Sequence, residues 1–186
     1  MKPGVRALGV AESYRGDRSR STLAGAVVRA DRVVDGLVFS SCAVGGTDAT
    51  DAVVSLVDDL ARPDARWLLL GAVAPAWYNL LDLEAIAEAA DRPVVAVTFE
   101  ESDGLETGLR EAFDGDALAR RLATYRSLPP RRELRLNDET VYVRAVGVDP
   151  AEADEVLRAF TPEGGRPEPV RVARVAARAA DAYRDD

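Results

Sequence analysis

The chain has 186 residues, 47% of them apolar, with 32 acidic against 24 basic side chains and a formal net charge of −8. That length and apolar share suit a single domain spanning 1–186 with a substantial core, and they exclude a disordered polyelectrolyte. Histidine is absent and Cys42 is the only cysteine, which excludes Ser-His-Asp and Cys-His catalysis, internal disulfides and cysteine-rich zinc sites.

Arg6 to Val10 reads as a first strand, followed by a polar loop from Ala11 to Ser21. Thr22 to Arg29 and Val33 to Cys42 are β-rich runs joined tightly at Ala30 and Asp31, an antiparallel hairpin. A Gly-Gly turn at 45 and 46 leads into a helix to about Leu60. Ala52, Val53, Leu56, Val57 and Leu60 recur along it at helical spacing, and Thr47 or Asp48 can cap it. Trp67 to Leu70 is a short apolar run suited to a strand buried on both faces. Gly71, Pro75, Trp77, Tyr78 and Asn79 crowd the turn after it. Asp82 caps a short helix carrying Leu83, Ile86, Ala87 and Ala90, and Pro93 to Phe99 is another wholly apolar strand. Asp103 with Glu106 has the pattern of a capping box for a helix reaching Phe113. Asp116 begins another, with Leu118, Leu122 and Tyr125. Glu133–Leu136 and Thr140–Val146 pair around Asn137-Asp138, and Asp149-Pro150-Ala151-Glu152 is a strong helix start. The last helix follows Pro169, with Val172, Val175, Ala176, Ala179 and Tyr183 as its expected inner face.

In open α/β sheets ligands bind just beyond the carboxyl ends of the parallel strands, so the turn after Leu70 is expected to floor any cleft. Without histidine, chemistry there needs carboxylates, Tyr, Arg or a metal held mainly by oxygen, which favours Mg or Mn over Zn. Glu12 reads as a metal ligand or as an exposed loop acid. Asp48 and Asp82 reach the cleft or serve as helix caps. Tyr78 and Trp77 stack on a base or belong to the core, and Asn79 contacts substrate or fixes the turn. Arg171, Arg174 and Arg178 share a helix stripe at i, i+3 and i+7, with Arg166 ahead of it. Arg15, Arg18 and Arg20 form a second cluster. These arginines grip a phosphate backbone or form a solvated face paired with acids. Cys42 is expected to be an inert core residue.

Lys2 is the only lysine. Dense carboxylate with almost no lysine suits a protein kept soluble in concentrated salt, hence a halophilic source; codon bias in a GC-rich genome is the alternative. The longest apolar stretch, Trp67 to Tyr78, contains Gly and Pro and falls short of the ~18 residues of a membrane span. The first residues lack the pattern of a signal peptide. A soluble, cytoplasmic protein with no membrane partner is expected.

Five pieces, in order, carry a resemblance to a known family. They are RALGVAES at 6–13, GGTDAT at 45–50, LLGAVAPAWYNLLDL at 69–83, PVVAV at 93–97 and PEPVRVARVAA at 167–177. Together they resemble the archaeal relatives of endonuclease V, the endonuclease dU group. The order of elements agrees, because three antiparallel strands followed by parallel ones make a mixed α/β sheet with helices on both faces, as in the ribonuclease H-like fold. The resemblance implies metal-dependent cleavage of DNA at deaminated bases such as uracil or hypoxanthine, with Mg or Mn held by carboxylates at the sheet's carboxyl edge. It also implies acids at 11, 45 and 71, where this chain has Ala11, Gly45 and Gly71. Two expectations follow. One is a nuclease working with Glu12, Asp48 and Asp82 around one metal held by Glu12 and Asp48, with Tyr78, Asn79, Arg171, Arg174 and Arg178 on the nucleic acid. The other is a catalytically inactive nucleic-acid- or protein-binding module on the same fold.

Overall fold

The computed structural model describes residues 1–184. A seven-stranded sheet runs through it in the order β3-β2-β1-β4-β5-β7-β6. β1 (Arg6–Ser13), β2 (Arg20–Arg29) and β3 (Val34–Ala43) form an antiparallel meander. β4 (Ala65–Leu70) and β5 (Val94–Thr98) then run parallel to β1. β7 (Glu139–Val146) returns antiparallel beside β5, with β6 (Arg132–Leu136) outermost. The hairpins and the apolar strands lie within a residue or two of their expected positions, and β1 and β2 each run further into the polar loop between them.

Helices cover both faces. On one, α1 (Ala49–Leu60) and α3 (Leu83–Ala90) pack Leu56, Leu83 and Ile86 against Leu8, Val10, Leu68 and Leu70. On the other, α6 (Pro150–Phe160) packs Val156, Leu157 and Phe160 against Ala7, Leu69, Val95 and Val97. The alternation Leu68, Leu69, Leu70 between the two clusters is why this central strand reads as an unbroken apolar run. A single turn, α2 (Pro75–Tyr78), follows β4, and α4 (Glu106–Ala112) and α5 (Gly115–Ser127) bridge β5 to β6. Among the described residues no helix is long and apolar enough to cross a membrane.

The closing helix α7 (Glu168–Tyr183) lies along β1 and β2, and its buried stripe matches the expected one at Ala176 and partly at Val172 but otherwise differs. Pro169, Val170, Ala173, Ala176, Ala177 and Asp181 face inward, while Val175 is 58% and Tyr183 83% exposed. The cause is close approach. A Cβ on Gly9 would lie 2.1 Å from the carbonyl carbon of Pro169, so the helix rests almost on the strand and only small residues fit between them. Its far end is fixed by the buried Asp181 carboxylate, which accepts from Ser13 and Thr22 and pairs with Arg15 at 3.0 Å.

The caps divide similarly. Asp82 and Asp149 accept from the first amides of α3 and α6 as their sequence positions imply. The expected capping box at Asp103 and Glu106 does not form. Leu105 is the N-cap, and Glu106 instead pairs with Arg126 at 2.8 Å and Arg110 at 3.3 Å.

Replacing Gly9 with alanine forces a methyl group into backbone rather than into a mobile side chain. Gly9→Ala is predicted to destabilise the protein toward the upper end of the ~1–3 kcal/mol typical of overpacking, read from the urea unfolding midpoint; an unchanged midpoint would mean that α7 stands off the strand.

Candidate functional site

The carboxyl ends of β1, β4 and β5 open into two adjoining hollows of about 320 and 370 Å³ that share Glu12, Gly71, Ala72, Arg166 and Arg174 in their walls. The first also takes in Ala11, Tyr14, Val170 and Arg178. The second is lined by Thr98, Phe99, Tyr125, Arg131 and Arg144 among others. The cleft therefore lies where sheet topology places ligands in this class of fold. Its walls are rich in arginine, although the chain as a whole is acidic.

Alternation along β1 decides which groups face the arginines. Leu8 and Val10 belong to the α1 side and Ala7 and Ala11 to the α7 side. Glu12, next in register with Val10, sends its carboxylate toward the turn after β4. There its Oε2 accepts from the Ala76 amide at 2.7 Å and the Ser21 hydroxyl at 2.9 Å. That turn is unusual. Ala76, Trp77 and Tyr78 have φ of 50°, 56° and 61°, a left-handed conformation that costs residues with a side chain roughly 1–2 kcal/mol each. It persists because it is tied on several sides. The Gly45 amide donates to the Ala76 carbonyl at 2.7 Å. Arg121, 6% exposed, donates to the carbonyls of Tyr78, Gly45 and Gly46 and lies 3.8 Å from the centre of the Phe113 ring.

Asn79 completes the tie. Its side chain is fully buried, with Oδ1 accepting from the Ala49 amide at 2.9 Å and Nδ2 donating to the Ala43 carbonyl and to Asp48 Oδ1. The cap of α1 thus comes from Asn79, thirty residues away in sequence. Asp48, at the N-cap position, makes no cap bond; it accepts from the Ala43 amide and lies 3.6 Å from Arg20.

The expected site residues are consequently dispersed. Glu12 lies in the cleft wall, Asp48 supports the turn at 43–46, and Asp82 caps α3 beside a separate hollow lined by Arg120 and Arg121. Asn79 is interior and cannot meet a ligand. Tyr78 is half-buried, edge-on to Phe113 at 6.2 Å, with Trp77 more exposed beside it. Arg171 turns to Glu168 at 2.5 Å, while Arg174 and Arg178 reach the cleft. Arg131 and Arg144 were not anticipated. They come from the chain around β6 and β7, and nothing in their local sequence marks them as neighbours of Glu12.

A divalent ion held by Glu12 and Asp48 does not fit this donor set. Among the described residues no three acids, cysteines or histidines group closely enough to hold a metal ion, whereas Mg or Mn prefers a shell of about six oxygens. Moreover, the oxygens of Asp48 and Oε2 of Glu12 already have partners. Positions 45 and 71 are also closed to longer side chains. A Cβ on Gly45, itself at φ +65°, would meet the Trp77 ring at 2.8 Å, and one on Gly71 would meet Val170 at 2.8 Å.

The electrostatics follow from burial. Burial raises the Glu12 pKa above the usual carboxylate value, against the lowering effect of the Ala76 and Ser21 hydrogen bonds and of Arg174. At Asp48 burial alone would raise the pKa, but the Ala43 amide and the Asn79 side chain bring it below the usual value. The Cys42 thiol is pushed up to about 12 by burial and then by Glu12 and Asp48, so it stays protonated and inert.

Known proteins match this chain over most of its length. A profile described as Endonuclease dU matches residues 3–181. A UPF0215 protein of Pyrobaculum calidifontis is 33% identical over 172 residues, covering 91% of this chain and 93% of the relative. A protein of unknown function from Archaeoglobus fulgidus superposes with a TM-score of 0.82 at 24% identity, over 94% of this chain and 97% of that one. Endonuclease V from Streptomyces avermitilis superposes at 0.65 and 17% identity, over 99% and 84%. Endonuclease V from Ciona intestinalis, in complex with DNA containing an inosine followed by a ribo-adenosine, does so at 0.61 and 9%, over 96% and 86%. The structural likenesses establish the ribonuclease H-like fold.

The raised Glu12 pKa gives a signed expectation. A carboxyl that holds its proton more tightly when folded adds stability below its unfolded pKa of about 4.5, and that stability is lost as pH rises through the folded value. Glu12→Gln keeps an acceptor for Ala76 without the charge. It is predicted to melt above the wild type near about pH 7 and to lose that advantage near about pH 4. A difference independent of pH, followed by circular dichroism, would remove burial as the cause.

Proposed function

The chain belongs to the endonuclease dU family, and from that premise we propose that it binds DNA, laid across the arginine-lined cleft at the carboxyl ends of β1, β4 and β5. The observation that carries this reading is the convergence of Arg166, Arg174 and Arg178 on one hollow in a chain of net charge −8. Guanidinium groups match phosphate oxygens in geometry and hold their charge throughout the accessible pH range. The family reaction, metal-dependent cleavage at uracil or hypoxanthine, supplies the class of lesion. The inosine in the DNA of the Ciona complex supports a deaminated base as what is recognised.

Cleavage is a separate matter. Glu12 secures the left-handed turn, Asp48 secures the turn at 43–46 and Asp82 caps a helix beside a separate hollow, so the three do not converge on one Mg or Mn ion. The function proposed is recognition of DNA at deaminated bases without metal-assisted hydrolysis.

Fluorescence anisotropy with uracil-containing, hypoxanthine-containing and undamaged DNA tests it. Binding is predicted to weaken steeply with salt, and the double variant Arg174→Gln/Arg178→Gln to lower the slope of log affinity against log salt by about 2. The same DNA incubated with Mn is predicted to stay intact. Nicking that disappears in Glu12→Gln would instead establish a nuclease with relocated carboxylates, and salt-independent or absent binding would remove the DNA reading.

A further inference from the structure

The side chains of Arg166, Arg174 and Arg178 make no hydrogen bond or ion pair with any described residue. Arg174 and Arg178 are one turn apart on α7, and Arg166 comes from the loop that leads into it. Arg166 is held in place by the Phe99 ring, 4.0 Å from its guanidinium carbon. The three are close enough to repel. After burial, Arg174 and then Arg178 are what lower the Arg166 pKa, against only Glu139 raising it. The neighbouring Arg131 and Arg144 are different, because backbone carbonyls of Glu100, Ser102 and Pro129 accept from them. Three like charges therefore share one wall of a hollow of about 320 Å³ in which, among the described residues, Glu12 is the one carboxylate, with its Oε2 engaged elsewhere. Gathering cations in this way is unfavourable unless an anion joins them.

We propose that this hollow is a metal-independent site for a terminal phosphate of a nucleic-acid strand, gripped by Arg166, Arg174 and Arg178. The inference rests on the DNA reading and narrows it. A phosphodiester within a strand carries one negative charge and is flanked by two sugars. A terminal phosphomonoester carries about −1.5 to −2 near neutral pH and offers three free oxygens. Within the hollow three guanidiniums face the Glu12 carboxylate, with Glu139 acting on Arg166 from outside it, and the remaining positive charge matches the monoester better. The rim supplies a place for the attached nucleotide, since Tyr14 borders the hollow and is 43% exposed, and an exposed ring can stack on a base of any identity.

The test compares a short thymidine oligonucleotide carrying a 5′-phosphate, a 3′-phosphate or hydroxyls at both ends, bound to the full chain in EDTA. One phosphorylated form is expected to bind at least about tenfold more tightly than the hydroxyl form. Arg166→Gln is expected to reduce that preference to below about twofold, with an unchanged melting temperature. Arg110→Gln, which removes a partner of Glu106, should leave it intact. Equal affinity for all ends would overturn the site while leaving DNA binding in place, and so would a preference that appears only with Mg or Mn. Thymidine monophosphate binding as tightly as the phosphorylated strand would overturn the strand end as the source. If no oligonucleotide binds but inorganic phosphate shows phosphorus NMR line broadening that Arg166→Gln abolishes, the anion site stands and the DNA reading falls. If neither binds, both fall.

Discussion

One hydrogen bond organises the cleft: the Ala76 amide donating to Oε2 of Glu12 at 2.7 Å. It joins the end of β1 to a turn whose three consecutive left-handed residues would not hold that shape unaided. Because the turn is held, the Trp77 ring lies over Gly45, the Gly45 amide reaches the Ala76 carbonyl, and Asn79 is drawn inside to cap α1. The carboxylate is costly to bury, as its raised pKa records, and it remains because the turn needs an acceptor there. A group in that position acts first as an architectural acid.

A second constraint sets the opposite wall. The near-contact of Gly9 with Pro169 brings the start of α7 onto the sheet, and Val170 then fills the space beside Gly71 and Ala11. One turn further, the same helix extends Arg174 over the carboxyl ends of β1 and β4, with Arg178 behind it. The small residues of the inner stripe and the arginines of the cleft are thus two consequences of one docking geometry. Moving the helix outward by the width of a methyl group would both loosen the core and spread the cations.

Much of the scaffold was legible in the sequence, because strand order and the two-sided burial of β4 and β5 follow from apolar runs bounded by turn residues. Asp82 and Asp149 were legible as caps because capping is local. Failures came where a distant residue decided the outcome. Asp48 has the sequence signature of a cap, but Asn79 supplies the bond. Asp103 and Glu106 have the spacing of a capping box, but Arg126 claims the glutamate. The inner face of α7 was legible at Ala176 and in part at Val172, but hydrophobicity also favours Val175, whereas the spacing of helix and strand favours Ala173 and Ala177. Arg121, Arg131 and Arg144 carry no local mark, since their partners are carbonyls from other loops.

The mismatch with a carboxylate-held metal goes deeper than the acids absent at 11, 45 and 71. The backbone at 45 and 71 has no room for a longer side chain as its neighbours stand. Trp77 occupies the space beside Gly45 and Val170 the space beside Gly71. An aspartate at either position would have to displace these neighbours, and packing that dense does not give way readily. The charge agrees, with Arg166, Arg174 and Arg178 around Glu12 in the hollow. Packing and charge can drift separately when a site merely decays. Their agreement at one end of the sheet fits the proposed cleft, which would hold an anion directly, without a cation between the protein and the phosphate.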